Sequence, residues 1–181
     1  MVFTRHKITN HPCRQCRAIA TLEVIVTLPI FLIALLAIVE FGLLWTNEQN
    51  VAMASRAGAQ VASRLTFIPL SGPVPTDVEN AIAAELNKIG VSKYHLRLEH
   101  NIDFANNPNG TLTPVVLTTT SAGGPTNCPA PAPITLSPNR RYLRVTVCVA
   151  TTSLTPNLLA MFGADLSNRI SNESTTRRYA R

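Results

Sequence analysis

Residues 24–39, VIVTLPIFLIALLAIV, form a run of sixteen positions without a charge, and this run constrains the 181-residue chain more than any other feature. The apolar character resumes after Glu40 through Phe41, Gly42, Leu43, Leu44 and Trp45, so that residues 22–45 give 24 positions. At about 1.5 Å per residue, such a helix is long enough to cross a hydrocarbon core of about 30 Å. Charge orients it. Residues 1–18 hold Arg5, Lys7, Arg14 and Arg17 and no acid, whereas the rest of the chain carries 12 bases against 10 acids. A basic tail before the span and no base directly after it put the N-terminus in the cytoplasm and the rest of the chain outside, with Trp45 at the interface. Pro29 is tolerable inside the span because neighbouring helices or local adjustment can satisfy the carbonyl it frees. The formal charge of +6 therefore reflects a leader and not a nucleic-acid face, and no aromatic platform supports nucleic-acid binding.

A cleavable secretory signal has a shorter apolar stretch of about 7–15 residues. Ala52-Met53-Ala54 offers a formal cleavage site, but the run is too long for that reading. Two carboxylates, Glu23 and Glu40, also lie within the span. Each costs about 2.5–3.5 kcal/mol at a helix centre on insertion scales, so each asks for a reason. Snorkelling at the two edges of the membrane is one.

The residues around them supply another. The order Ala18, Glu23, Leu28-Pro29, Glu40-Phe41-Gly42 and Ser55-Arg56-Ala57-Gly58-Ala59 resembles the TadE family of pseudopilins from tight-adherence (Flp) pilus systems, over about residues 17–64. The family's usual Gly before the cut and aromatic after the Glu are here Ala18 and Val24. The resemblance implies cleavage by a prepilin peptidase between Ala18 and Ile19, which makes Glu23 the fifth residue of the mature chain. It also implies that Glu23 pairs with the terminal amine of a neighbouring subunit, neutralising two charges that are expensive in lipid. The implied partners are the peptidase, other pilins or pseudopilins, the inner-membrane assembly platform and membrane lipid.

Past the span, Val51, Ala54, Gly58, Val61 and Leu65 recur at helical spacing, so a narrow seam of small residues continues to about residue 66. It suits close packing against another pilin-like helix, and it equally suits packing on the chain's own C-terminal domain. Pro69, Gly72, Pro73 and Pro75 then mark a linker. Thr76 and Glu79 read as a capping box opening a helix over 77–88, with Val78, Ile82, Leu86 and Ile89 on one face and Gly90 at its end. Leu96, Leu98, Ile102 and Phe104 have strand spacing, followed by a turn at 106–110. Residues 115–120 are a second strand, 121–139 a Pro-rich loop, and Leu143, Val145, Val147 and Val149 alternate as a third strand. A short helix over 157–162 and a final strand or polar tail over 166–181 complete the reading. The expected fold class is α+β: a leader (1–18), a transmembrane helix (19–45), its extension (46–66) and an extracytoplasmic domain (67–181) with an antiparallel sheet, pilin-like in outline.

Cysteine usage separates the two sides. Cys13 and Cys16 lie in the leader, while Cys128 and Cys148 are free to form a disulfide outside the cytoplasm. Closing a loop of that length contributes on the order of 3 kcal/mol. With His6 and His11, the Cys13/Cys16 spacing allows a zinc site to be drawn, but the leader is too short to fold around one, so no metal or other cofactor is expected. His95 and His100 stand five apart on a strand, hence on opposite faces, and read as surface or edge residues. No nucleophile elbow, metalloprotease, phosphate-loop or dinucleotide motif occurs, so catalysis is not expected. The alternative function is an uncleaved, signal-anchored binding or sensor domain.

Overall fold

The computed structural model describes residues 14–101, 114–132, 141–166 and 168–179, with side chains from residue 21 onward. Ile102, Phe104, the turn at 106–110, Arg181 and the side chains of Cys13, Cys16, Ala18 and Ile19 lie outside the described residues. Six elements carry the fold: α1 (Arg14–Ala62), α2 (Thr76–Asn87), β1 (Tyr94–His100), β2 (Val115–Thr120), β3 (Tyr142–Ala150) and β4 (Ile170–Arg178). The architecture is α+β, a long apolar helix followed by a small domain with a four-stranded antiparallel sheet. Two compact units divide it, Met1–Ile38 and Val39–Arg181.

In the first unit, α1 continues through Pro29. Thr27 Oγ1 donates to the Glu23 carbonyl at 2.8 Å, and the apolar side chains from Leu22 to Phe31 stand exposed. The stretch Thr21–Ala62 is long and apolar enough to cross a membrane.

The second unit begins inside α1. Its sheet has the order β2-β1-β3-β4, each neighbouring pair antiparallel. Leu96 and Leu98 of β1, Leu117 of β2 and the alternating Leu143, Val145, Val147 and Val149 of β3 form one buried layer with Val78, Ile82 and Leu86 of α2 and Val51, Ala54, Ala59 and Ala62 of α1. The extension read as a separate segment is therefore a core element of the domain. Of the two readings of the seam, the burial fits packing on the chain's own domain: Ala54 and Gly58 pack inside their own chain, and Ala62 takes the buried place expected of Val61 and Leu65, which are only half-buried.

Gly58 shows why small residues are needed there. A Cβ on Gly58 would come within 2.6 Å of Ile82 Cδ1 and 3.3 Å of Val145 Cγ1. In Gly58→Leu the added bulk meets a packed core and is expected to cost about 1–3 kcal/mol. In Gly58→Ala the same Cβ must displace the buried Ile82 side chain, and about 0.5–1 kcal/mol of regained helix propensity offsets only part of that, so a loss smaller than for Leu is expected. Thermal unfolding of the full chain in detergent, followed by near-ultraviolet circular dichroism, distinguishes the two; equal midpoints would refute the close approach.

Helix α2 departs from its expected start. Pro75 is the N-cap, the Val78 and Glu79 amides bond to the Pro75 carbonyl, and no side chain caps the helix. Thr76 is already helical, so the capping box does not form. Glu79 instead faces Tyr94, whose phenol is held above its ordinary pKa by burial first and then by the charge of Glu79 and a hydrogen bond to it. The far end follows expectation: Gly90 has φ +74°, and the Gly90 and Val91 amides bond to the Asn87 and Leu86 carbonyls. This is a Schellman turn, which favours glycine at the left-handed position.

Strict alternation in β3 suggests a strand with one wet face, yet eight of its nine residues are buried. The second face is covered by the Pro-rich segment. A Cys128–Cys148 disulfide pins that segment to β3, with the two Cα atoms 5.7 Å apart. Arg144 Nη1 donates to the Ala132 carbonyl at 2.6 Å. Under this cover Glu99 accepts from Arg144 Nε at 2.6 Å and from Arg97 Nε at 2.8 Å.

His100 corrects another expectation. It lies on the core face of β1, fully buried, with Nε2 3.1 Å from the Pro69 carbonyl oxygen. Its neighbour His95 stays half-exposed on the opposite face, and burial, aided by the charge of Arg97, lowers its pKa. The two faces are as expected, but helix α1 and the linker cover one of them.

Candidate assembly site on the long helix

The residues singled out on α1 separate into an exposed set and a buried set. Glu23, Pro29, Phe41 and Gly42 are exposed, and a Cβ on Gly42 would meet nothing within 4 Å. These positions, together with the apolar surface around them, are open to lipid or to another helix. The backbone of Ala18 and Ile19 is helical, within α1.

Glu40, Ala54 and Gly58 are turned inward. Glu40 is 1% exposed, and its Oε2 accepts a hydrogen bond of 2.9 Å from the Leu159 amide. Oε1 has no hydrogen-bond partner among the described residues. The edge-snorkelling account of Glu40 is therefore replaced: its own chain encloses the carboxylate, using an amide of the 3-10 helix Leu158–Phe162. An amide donor offsets part of the cost of removing a carboxylate from water.

One seam links these buried residues. Glu40, Leu44, Asn47, Val51, Ala54 and Gly58 follow one another at spacings of 4, 3, 4, 3 and 4, which keeps them on one helix face. Asn47 Nδ2 donates to the Leu154 carbonyl, and Ser55, beside the seam, donates from Oγ to the Val145 carbonyl at 2.9 Å. The Ser55 hydroxyl also lies 3.0 Å from Thr175 Oγ1, so a single side chain ties α1 to β3 and β4. Sequence reasoning began the seam at Val51 and missed Leu44, Asn47 and the roles of Ser55 and Glu40. The unbroken 4-3 spacing back to Glu40 was the available signal. Tyr179 closes the same unit, its hydroxyl donating to the Leu65 carbonyl at 2.5 Å.

Nothing in this arrangement reads as a metal centre: among the described residues no three His, Cys, Asp or Glu side chains are placed to share an ion. The geometry defines a different class, a long apolar helix whose final turns are built into the core of an α+β domain. Residues 18–60 match the model of the family described as TadE-like protein, about a quarter of the chain. The match begins at Ala18 and ends two residues past Gly58, so it covers the exposed apolar surface, Glu40 and most of the buried seam. No curated protein and no solved structure matches the chain.

Proposed function

We propose that this chain is a minor pseudopilin of a tight-adherence (Flp-type) pilus or a related secretion apparatus, acting in assembly and not in catalysis. It sits in the cytoplasmic membrane with its N-terminus in the cytoplasm and the domain beyond α1 outside. The observation that carries this reading is the match of residues 18–60 to the TadE-like family, with Glu23 exposed at the head of an exposed apolar helix. A prepilin peptidase cuts between Ala18 and Ile19, Glu23 pairs with the new amino terminus of a neighbouring subunit, and the exposed apolar face lies among other pilin-like helices at the assembly platform. No cofactor takes part.

The test is the N-terminal sequence of the mature protein isolated from its native membranes. A start at Ile19 is expected. An intact leader would instead establish the second reading, an uncleaved anchored domain that binds or senses a ligand. Release after Ala54 is disfavoured by the fold, since that cut falls between Ala54 and Ser55, both buried, and would strip Val51 and Ala54 from the core.

A further inference from the structure

The 3-10 helix Leu158–Phe162 (LLAMF) turns one large apolar residue inward and leaves three large ones outward: Leu159 is buried, whereas Leu158, Met161 and Phe162 are 37%, 80% and 50% exposed. Residues 154–164 carry no charge. Polar contacts close the base of the segment, where Asn157 Nδ2 donates to Asp165 Oδ1 at 2.7 Å and the Leu166 amide bonds to Asn157 Oδ1 at 3.4 Å. A polar neck below an apolar tip is the profile of an element that enters a bilayer interface and lies in it. Large exposed apolar side chains so close together mark a contact surface.

Depth decides which contact. The Leu159 amide is bonded to Glu40, so the start of this 3-10 helix lies level with position 40 of α1. Counted along the sequence from Leu22, twenty residues at about 1.5 Å each cover the 30 Å hydrocarbon core and end at Phe41. Trp45, 67% exposed and of the type that settles at membrane interfaces, lies five residues beyond Glu40 along the same helix. By the same rise per residue, Glu40 is about 7 Å closer to the hydrocarbon than Trp45. Phe41 and Leu43, also exposed, lie between them.

We propose that the loop 157–165 is a second membrane contact of this protein, its Leu158, Met161 and Phe162 side chains entering the outer leaflet beside α1, with Glu40 as the positioning residue that sets its depth. The lipid is a bilayer surface in general; no headgroup is selected. Glu40 thus has a use at a depth where a free carboxylate is costly: it carries the loop to the lipid and is shielded by it. The proposal requires only that α1 spans the membrane and is independent of the pilus reading.

The experiment uses the full chain in phosphatidylcholine/phosphatidylglycerol vesicles with brominated acyl chains. Trp45 is the chain's one tryptophan, so the Trp45→Phe/Phe162→Trp variant reports on the loop alone. Its emission is expected to be blue-shifted and to be quenched by bromolipid to an extent comparable with Trp45 in the wild type. Adding Glu40→Ala should reduce that quenching while the far-ultraviolet spectrum stays unchanged. Unquenched, water-like emission would overturn the proposal. So would blue-shifted emission that escapes quenching and reverts on dilution with lipid, since a second copy would then cover the loop. Absence of quenching at wild-type Trp45 would remove the span on which the depth rests. Quenching unaffected by Glu40→Ala would overturn the part assigned to Glu40.

Discussion

Arg144→Met is expected to destabilise the domain by about 3–5 kcal/mol, the usual cost of breaking one side of a buried ion pair. Glu99 is 2% exposed and Arg144 7%, and the two are joined both by the 2.6 Å bond from Arg144 Nε and by an Nη2 contact. Removing the guanidinium leaves Glu99 with Arg97 alone, whose side chain is 25% exposed and reaches water. It also leaves the Ala132 carbonyl without its donor, loosening the cover over β3. The paired change Glu99→Leu/Arg144→Met should recover most of the loss, because replacing both charges by apolar residues removes the desolvation cost together with the attraction. Hydrogen exchange of the β3 amides in the full chain would measure both. A single variant no less stable than the double would mean that the ion pair does not hold the cover in place.

The second large effect is on assembly. Glu23→Gln keeps size and hydrogen-bonding capacity but removes the charge, and Glu23 makes no side-chain contact with the rest of its own chain that would be lost with it among the described hydrogen bonds and ion pairs. Folding and membrane localisation should therefore be unchanged, while pilus formation should fall to the level of a strain lacking the protein. The reason is that the charge of Glu23 is assigned to a neighbour's terminal amine, and only assembly uses it. Electron microscopy of surface pili, with immunoblotting of the membrane fraction as control, reads both halves. Normal piliation by this variant would count against the pseudopilin reading and favour the anchored domain.

Local signals carried much of the fold. The apolar run set the helix, residues 115–120 form β2, and the β-rich alternation around Val145 became β3. Gly90 ends α2 because its backbone needs the left-handed region, and the sequence marks that need directly. The Cys128–Cys148 bond joins the two cysteines that lie outside the leader, the other two being Cys13 and Cys16. What stayed hidden depends on distant partners. The capping box does not form because the helix starts one residue early, with Pro75 as the N-cap, and Glu79 meets Tyr94 instead, a contact that no local pattern displays. The polar face of β3 was buried by a loop whose own composition suggested only irregular structure. Glu40 could not be understood without Leu159, 119 residues away. On the candidate site, the residues of the family motif and the exposed face were legible in the sequence, while the inward turn of Ala54, Ser55 and Gly58 depended on which surface would meet them.

Those separations have a consequence for the order of events during synthesis and folding. The face of α1 running from Glu40 to Ala62 is made early, yet its partners come late: Val145 is 90 residues beyond Ser55, and Leu159 later still. Contacts this distant are slow to form, and exposed apolar surface is prone to mispairing while it waits. Alanine, serine and glycine along that face make it less adhesive than leucine would. The part of the TadE-like match from Glu40 onward is thus made well before the partners that cover it.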